Sequence, residues 1–281
     1  MKQQIKIIFA IKGYYSKMMF NDLNIEDWKQ LDIDVNSLWI INERDKRGKH
    51  KNIYHGNFIP QIPNQLIRRF TKENDLVLDV FLGSGTSLYE CESLNRKFIG
   101  LDINQNIIDY VSSQMANSQF GNFSIHNCDV TSETQTKTEI EKGLSFLEEE
   151  NAKFILFHPP YMDIVKFTDN PNDLSKIGDL NTFVKTFVSV CKNTLQYLAT
   201  NRYFAVIIGD VYKNGEVIPL SFYLMDAIKR NFKTKLKGII VKNIEGNKGK
   251  LGQNGIWTYR AMNSDYYIFK HEYIFVFKKE F

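Results

Sequence analysis

Residues 158–161 read His-Pro-Pro-Tyr and follow a short apolar run, Phe154-Ile155-Leu156-Phe157. Two adjacent prolines cannot continue a strand ladder or open an ordinary helix turn, so the chain is fixed in a rigid extended turn. Such a turn holds backbone carbonyls in place. It also lets Tyr161 offer an aromatic face on which a planar ring can stack. An exocyclic amine on that ring would reach the Pro159 carbonyl and the side chain of His158. His158, Pro159, Pro160 and Tyr161 are therefore the candidate catalytic residues, although a Pro-Pro-Tyr turn after a strand is equally consistent with a plain loop.

A second constellation lies upstream, at Asp79-Val80-Phe81-Leu82-Gly83-Ser84-Gly85-Thr86. Gly83 and Gly85 permit a tight turn and close backbone approach to a ligand. A helix starting near Thr86 would offer free N–H groups. Asp79 closes one strand, Asp102 closes the next, and Asp129 is expected to end a third, so the three carboxylates would line one crevice at the sheet's C-terminal edge. A nicotinamide dinucleotide is one reading. However, the third glycine of Gly-x-Gly-x-x-Gly is absent, because position 88 is Leu. S-adenosylmethionine carries an ammonium, a carboxylate, a ribose and an adenine but no phosphate, and an acid in the first turn suits it better.

These groups need a frame. Continuous apolar runs at 75–81, 97–102, 154–157, 203–208 and 273–277, with 123–128 as a further strand, suit a parallel sheet covered on both faces. Helical patterns fall between them at 60–72, 86–95, 104–116, 181–200 and 219–231, and 133–153 reads as a solvated helix face. Strands alternating with helices predict an α/β doubly wound sheet.

Composition narrows the class. The chain has 281 residues, 43% hydrophobic and 24% charged, which excludes a disordered or collagen-like polymer. Three widely spaced cysteines, Cys91, Cys128 and Cys191, exclude a disulfide framework and suggest a reducing cytoplasm. His126-x-Cys128 alone is a weak pair, so no metal is expected. No apolar run reaches transmembrane length, and Met1–Ala10 reads as a strand or part of a helix rather than a signal peptide. The net charge of +4 is unremarkable. Its distribution is not: basic residues gather at 43–51, read as an exposed loop, and at 229–250.

Together the two motifs resemble those of the DNA amino-methyltransferases, which methylate adenine N6 or cytosine N4 with S-adenosylmethionine. Asp79–Thr86 is similar to the family's cofactor motif Asp-x-Phe-x-Gly-x-Gly-Thr. His158–Tyr161 is similar to its (Asp/Asn/Ser)-Pro-Pro-(Tyr/Phe/Trp) catalytic motif, with His in place of the usual first residue. Tyr54-His55-Gly56-Asn57-Phe58-Ile59-Pro60-Gln61-Ile62-Pro63 resembles the segment that precedes the cofactor motif and contacts the methionine end. This is the gamma-like order, and it covers roughly residues 54–277.

The resemblance implies a Rossmann-like class I methyltransferase fold with a mostly parallel sheet and an antiparallel C-terminal strand. It implies an S-adenosylmethionine site formed by Asn57, Phe58, Pro60, Asp79, Phe81, Gly83, Ser84, Gly85, Thr86, Asp102, Ile103, Asp129 and Val130. It also implies a mechanism. Hydrogen bonds from the target amine to His158 and the Pro159 carbonyl localise the nitrogen lone pair, which attacks the sulfonium methyl in line. Neutral imidazole has one acceptor nitrogen and can serve here; protonated imidazole cannot. Activity is therefore expected to fall as pH drops through the His158 pKa. No covalent intermediate is needed, and Cys91 is expected in the core.

A base inside a duplex must be flipped out to react, and Phe167 is either a support for the displaced nucleotide or core. Residues 1–53 are expected to form an N-terminal extension contributing to DNA binding. Residues 54–281 are expected to form the catalytic domain, with a small target-recognition insertion around 240–268. DNA contacts are expected from Arg47, Lys49, Lys242, Lys248, Lys250, Gln253, Asn254 and Arg260, lysines on phosphate and the amides or Arg260 on base edges. Lys270-His271-Glu272 is expected at a turn, with no role. Double-stranded DNA is the implied partner, with a second copy or a cognate restriction endonuclease as further partners and no membrane. Adenine N6 is favoured. The alternatives are cytosine N4, a guanine amine in RNA, and a non-catalytic nucleic-acid-binding module that keeps the fold.

Overall fold

The computed structural model describes residues 20–51, 56–244 and 254–280. Met1–Ala10, Tyr54, His55, Lys248, Lys250 and Gln253 lie outside them.

The centre is an eight-stranded sheet built of β1 (Leu38–Trp39), β2 (Leu76–Asp79), β3 (Lys97–Asp102), β4 (Phe123–Asn127), β5 (Ala152–Phe157), β6 (Leu198–Ile208), β9 (Thr234–Asn243) and β10 (His271–Lys279). Its order is β1-β9-β10-β6-β5-β2-β3-β4. Pairing is parallel from β6 through β5, β2 and β3 to β4, and β10 runs antiparallel to both β6 and β9. β7 (Val211–Lys213) and β8 (Glu216–Ile218) form a separate hairpin. This is the predicted mostly parallel sheet with an antiparallel C-terminal strand.

Strand alternation splits the core in two. Leu76, Leu78 and Ile99 face one side. There they pack with α4 (Glu133–Phe146), α5 (Leu180–Leu195) and α6 (Leu220–Asn231). Val77, Phe98 and Phe154 face the other side, against α1 (Gln61–Phe70), α2 (Thr86–Ser93) and α3 (Gln105–Met115). Every core strand is covered on both faces, which is why the runs read as continuously apolar. Strand order reverses between β2 and β5, so their C-terminal ends open a crevice at the switch point.

Several boundaries differ from the expectation. The helix predicted to reach residue 200 stops at Leu195, and β6 begins at Leu198, five residues before the predicted start. The basic run 229–250 is not one exposed element: it spans the end of α6 and then β9, sandwiched between β1 and β10. The expected recognition insertion at 240–268 consequently shrinks, because residues up to Asn243 belong to the sheet. α7 (Asn254–Met262) lies beyond. His271 and Glu272 form the start of β10, not a turn.

Candidate active site

The chain leaves β2 through a turn that fastens to both neighbouring strands. Val80 N–H donates to the Leu156 carbonyl at 3.1 Å, and Leu82 N–H to the Leu101 carbonyl at 2.8 Å. Gly83 and Gly85 adopt φ of 50° and 84°. That region favours glycine, and Gly85 has a second constraint. A β-carbon there would lie 3.1 Å from both Tyr89 Cζ and Val111 Cγ1. Gly85 caps α2, whose first turn contains the buried Thr86 and Ser87.

Asp79 was expected to face a ligand, but the structure places it beneath the loop. It is fully buried, with Oδ1 accepting from Phe81 N–H at 3.0 Å and Oδ2 from the Ser87 hydroxyl. Its carboxyl braces the turn. Burial raises its pKa to about 6, against the lowering effect of those two hydrogen bonds. Asp102 is half-buried at the end of β3, receiving Gly83 N–H on Oδ2 and Asn104 N–H on Oδ1, each at 2.9 Å. Burial again lifts its pKa to about 6. Ile103 follows, half-exposed, beside it. Asp129 does not end the third strand, since β4 stops at Asn127. It lies in the following turn, where Thr131 N–H donates to Oδ1 at 2.9 Å and Asn172 Nδ2 to Oδ2 at 2.7 Å, and Val130 beside it is buried.

The segment before α1 links this loop to the catalytic turn. Asn57 Nδ2 donates to Ser84 Oγ, and the buried Phe58 ring packs on His158 with centroids 4.9 Å apart. Pro60 begins α1. Gly56 lies against Phe167: a β-carbon there would be 3.2 Å from its Cζ. Phe167 is thus half-buried in a loop over the crevice and is not among the core side chains.

At the end of β5, His158 is half-buried, Pro159 is buried and Pro160 is half-exposed. Burial lowers the His158 pKa to about 4, partly opposed by Glu272. The imidazole is therefore neutral at pH 7 and retains an acceptor nitrogen. The Pro159 carbonyl accepts no backbone hydrogen bond from the described residues. Tyr161 does not stand free. Its hydroxyl donates to Glu272 Oε2 at 3.1 Å, and its ring edge fills the space beside Gly209, where a β-carbon would sit 2.8 Å from Cε2. Next to it Met162 is buried at φ 53°, and Asp163 is clamped by Lys213 Nζ at 2.7 Å.

Comparison with known proteins adds a partial likeness. Residues 6–113 match the family model described as DNA methylase. That part of the chain is similar to the N6/N4 DNA amino-methyltransferases. Type II methyltransferase M.MjaII of Methanocaldococcus jannaschii is 32% identical over 34% of this chain and 19% of that protein. Type II methyltransferase M.HpaI of Haemophilus parainfluenzae is 41% identical over 21% of this chain and 18% of that protein. The matches thus span about a fifth of each of those two relatives. Among solved structures, TrmN from Thermus thermophilus aligns with a TM-score of 0.50 at 15% identity, covering 80% of this chain and 50% of that one. A SAM-dependent methyltransferase from Streptococcus mutans aligns with a TM-score of 0.50 at 12% identity, covering 79% and 50%. The fold is the Rossmann-like class I methyltransferase fold.

The structure divides the expected DNA-contacting residues. Lys242 is corrected outright. It is 5% exposed and bonds Glu272 Oε1 at 3.0 Å, so it cannot reach a phosphate. Lys49 is held by Glu92, and His50 pairs with Glu90 at 2.6 Å, so the end of the 43–51 loop folds back onto α2 instead of projecting as a clamp. Arg47 is exposed but paired with Asp45 at 2.6 Å. Arg260 is exposed on α7, stacked over Trp257 at 5.4 Å, and Asn254 begins the same helix.

Sequence reasoning missed Glu272. A signal existed, because it is the one acid in the otherwise apolar or basic β10 before Glu280, and it pairs in register with Lys242. The three cysteines are buried and unbridged, Cys91 in the core as expected. Among the described residues no three His, Cys, Asp or Glu side chains gather as metal ligands, and no helix is long and apolar enough to cross a membrane.

Proposed function

We propose that this chain transfers a methyl group from S-adenosylmethionine to an exocyclic amine of a flipped base in double-stranded DNA, with adenine N6 the base to test first. The observation that carries the reading is one juxtaposition. A neutral imidazole and the Pro159 carbonyl stand at the end of β5, one strand from the Gly83–Gly85 turn, with Nδ1 and the carbonyl oxygen unpartnered among the described residues. Two acceptors aimed at one amine would draw its protons aside and localise its lone pair. The residues present fit the cofactor. Gly83 and Gly85 hold the turn at positive φ with no side chain on its ligand side, the Asp102 carboxylate would accept from ribose hydroxyls, and Asn57 and Phe58 would border the methionine end. Bound there, the cofactor supplies an electrophilic methyl. The chain's own residues hold the amine, stack the base near Tyr161 and exclude water through Phe58 and the 162–179 loop.

Arg260 and Trp257, on the helix that Asn254 begins, would belong to a slim recognition element. Residues 20–51 contribute an edge strand and the loop over α2, and a homodimer or a partner nuclease would extend the DNA surface. The test is incubation with methyl-labelled S-adenosylmethionine and separate duplex DNA and RNA pools, followed by nucleoside analysis. Label in N6-methyladenine supports the reading, and label in N4-methylcytosine moves the base. Label only in RNA, or none, overturns it.

A further inference from the structure

Tyr161 sits between two partners. Its hydroxyl reaches Glu272 Oε2 at 3.1 Å, and His158 Nε2 lies 3.3 Å away on the other side. Glu272 is 7% exposed, and its second oxygen accepts from Lys242 Nζ at 3.0 Å. β9 and β10 place the two directly opposite each other in the ladder. All four groups therefore form one buried row, Lys242, Glu272, Tyr161 and His158, ending in the crevice.

The row has a direction. A carboxylate paired with an ammonium offers lone pairs only, and a phenol has a single proton. With that proton given to Glu272, the Tyr161 oxygen can only accept from His158. The reverse arrangement would set phenol and carboxylate lone pairs against each other at 3.1 Å. Otherwise it would require a proton on a carboxyl that touches Lys242. Neutral imidazole carries one N–H, and a partner on one nitrogen decides where it sits. His158 must then be protonated at Nε2 and bare at Nδ1. Nδ1 has no hydrogen-bond partner among the described residues, and the Phe58 ring walls the imidazole on one side.

We propose that Lys242 and Glu272 are positioning residues that act through Tyr161 to lock His158 as the Nε2–H tautomer, leaving Nδ1 as the acceptor for the substrate amine. The substrate half rests on the amine-methylation reading above; the tautomer half rests on the ion pair and the hydrogen bonds alone. The row explains why histidine can stand where an oxygen acceptor is usual. An imidazole presents a lone pair in a fixed place only if something else fixes its proton, and a strand-borne carboxylate does so here. It also explains a lysine buried in β9 that would otherwise be wasted on the interior.

The test is nitrogen-15 NMR of the full chain labelled at histidine, without DNA or cofactor, near neutral pH. The chain has 5 histidines, and His158 is assigned by the signal lost in His158→Asn. The expected signature is a protonated Nε2 and a bare Nδ1. Tyr161→Phe should give a mixture of tautomers. Breaking one partner of the buried ion pair can unfold the chain, so the decisive variant is the double change Lys242→Met with Glu272→Leu, which removes both charges at similar volume. It should stay folded, lose the fixed tautomer and transfer methyl groups at least about tenfold more slowly with unchanged S-adenosylmethionine affinity.

A bare Nε2 with a protonated Nδ1 in the unaltered protein would overturn the proposal, as would a double variant that keeps the original signature. The two readings fail separately. The Nε2–H signature without transfer to DNA or RNA sustains the tautomer and removes the function. Transfer by a protein showing Nδ1–H removes the tautomer and sustains the function.

Discussion

The turn after β2 and the turn after β5 sit side by side at one sheet edge, yet they settle their polar groups in opposite ways. The first closes on itself: Asp79, Ser87, Phe81, Gly83 and Asp102 satisfy one another within 24 residues of sequence. The second depends on distant chain. Tyr161 meets Glu272, 111 residues away, and one imidazole nitrogen is left over. A ligand loop works by being rigid before the ligand arrives. A reacting site must keep an acceptor unspent, and an unspent acceptor needs outside support to stay oriented.

The sharpest way to break the comparison is to remove the acceptor. His158→Ala should lower methyl transfer by roughly 10²–10³-fold, the scale of deleting one preorganised hydrogen-bonding group, while titration calorimetry shows S-adenosylmethionine affinity unchanged. Comparable loss of cofactor affinity would mean that the two turns are not separable.

Glycine substitutions at the two ends should then diverge. Gly209→Ala places a methyl 2.8 Å from Tyr161 Cε2 and should cut the rate by about 10- to 100-fold through ring displacement. Gly85→Ala forces a side chain to φ 84° and should cost ~1–3 kcal/mol of stability in urea titration, with weaker cofactor binding. A Gly209→Ala variant with full activity would show that Tyr161 tolerates a shift.

Stability against pH separates the ends by sign. The folded His158 pKa is about 4, below the ordinary 6.5, so the unfolded chain takes the proton first and stability falls as pH drops from 6.5 towards 4. Asp79 and Asp102 have folded values of about 6, above the ordinary 3.8, so their contribution rises as pH drops from about 6 towards 4. His158→Asn should remove the first effect, gaining up to about 1 kcal/mol per pH unit over the original protein in that window. Parallel denaturation curves at pH 7 and pH 5 would contradict this.

The smallest expected effect concerns DNA. Arg260→Ala should reduce the salt slope of duplex binding by about 1. The double change Lys242→Met with Glu272→Leu should leave the slope unchanged while slowing transfer, because the Lys242 ammonium faces Glu272 and not solvent.

What the sequence made legible follows the same division. Strands β2 to β5 and β10, the helices between them and the Gly83–Gly85 turn are local patterns of apolar runs and glycine spacing and are legible there, whereas β1, β9 and the β7–β8 hairpin are not, and β6 begins five residues before its apolar run. Asp79 was found but misassigned, because spacing places a carboxylate at a strand end without saying which way it faces. Lys242 was taken for a surface charge because a lysine-rich run hides strand alternation: Lys235 and Lys237 point outward and Lys242 inward. Glu272 was passed over because its partner is set by register between two antiparallel strands, which no local window contains. Position 158 was readable, but the state of its ring was not, since burial and Tyr161 determine it.

The most direct measurement is single-turnover methyl transfer to duplex DNA at saturating S-adenosylmethionine, followed from pH 8 to pH 4. The account predicts a level rate from pH 8 to pH 6 and a fall only as pH nears about 4, where His158 takes a proton and loses its acceptor. A rate already halved near 6.5, the ordinary imidazole value, or a His158→Ala protein that follows the original curve, would contradict it.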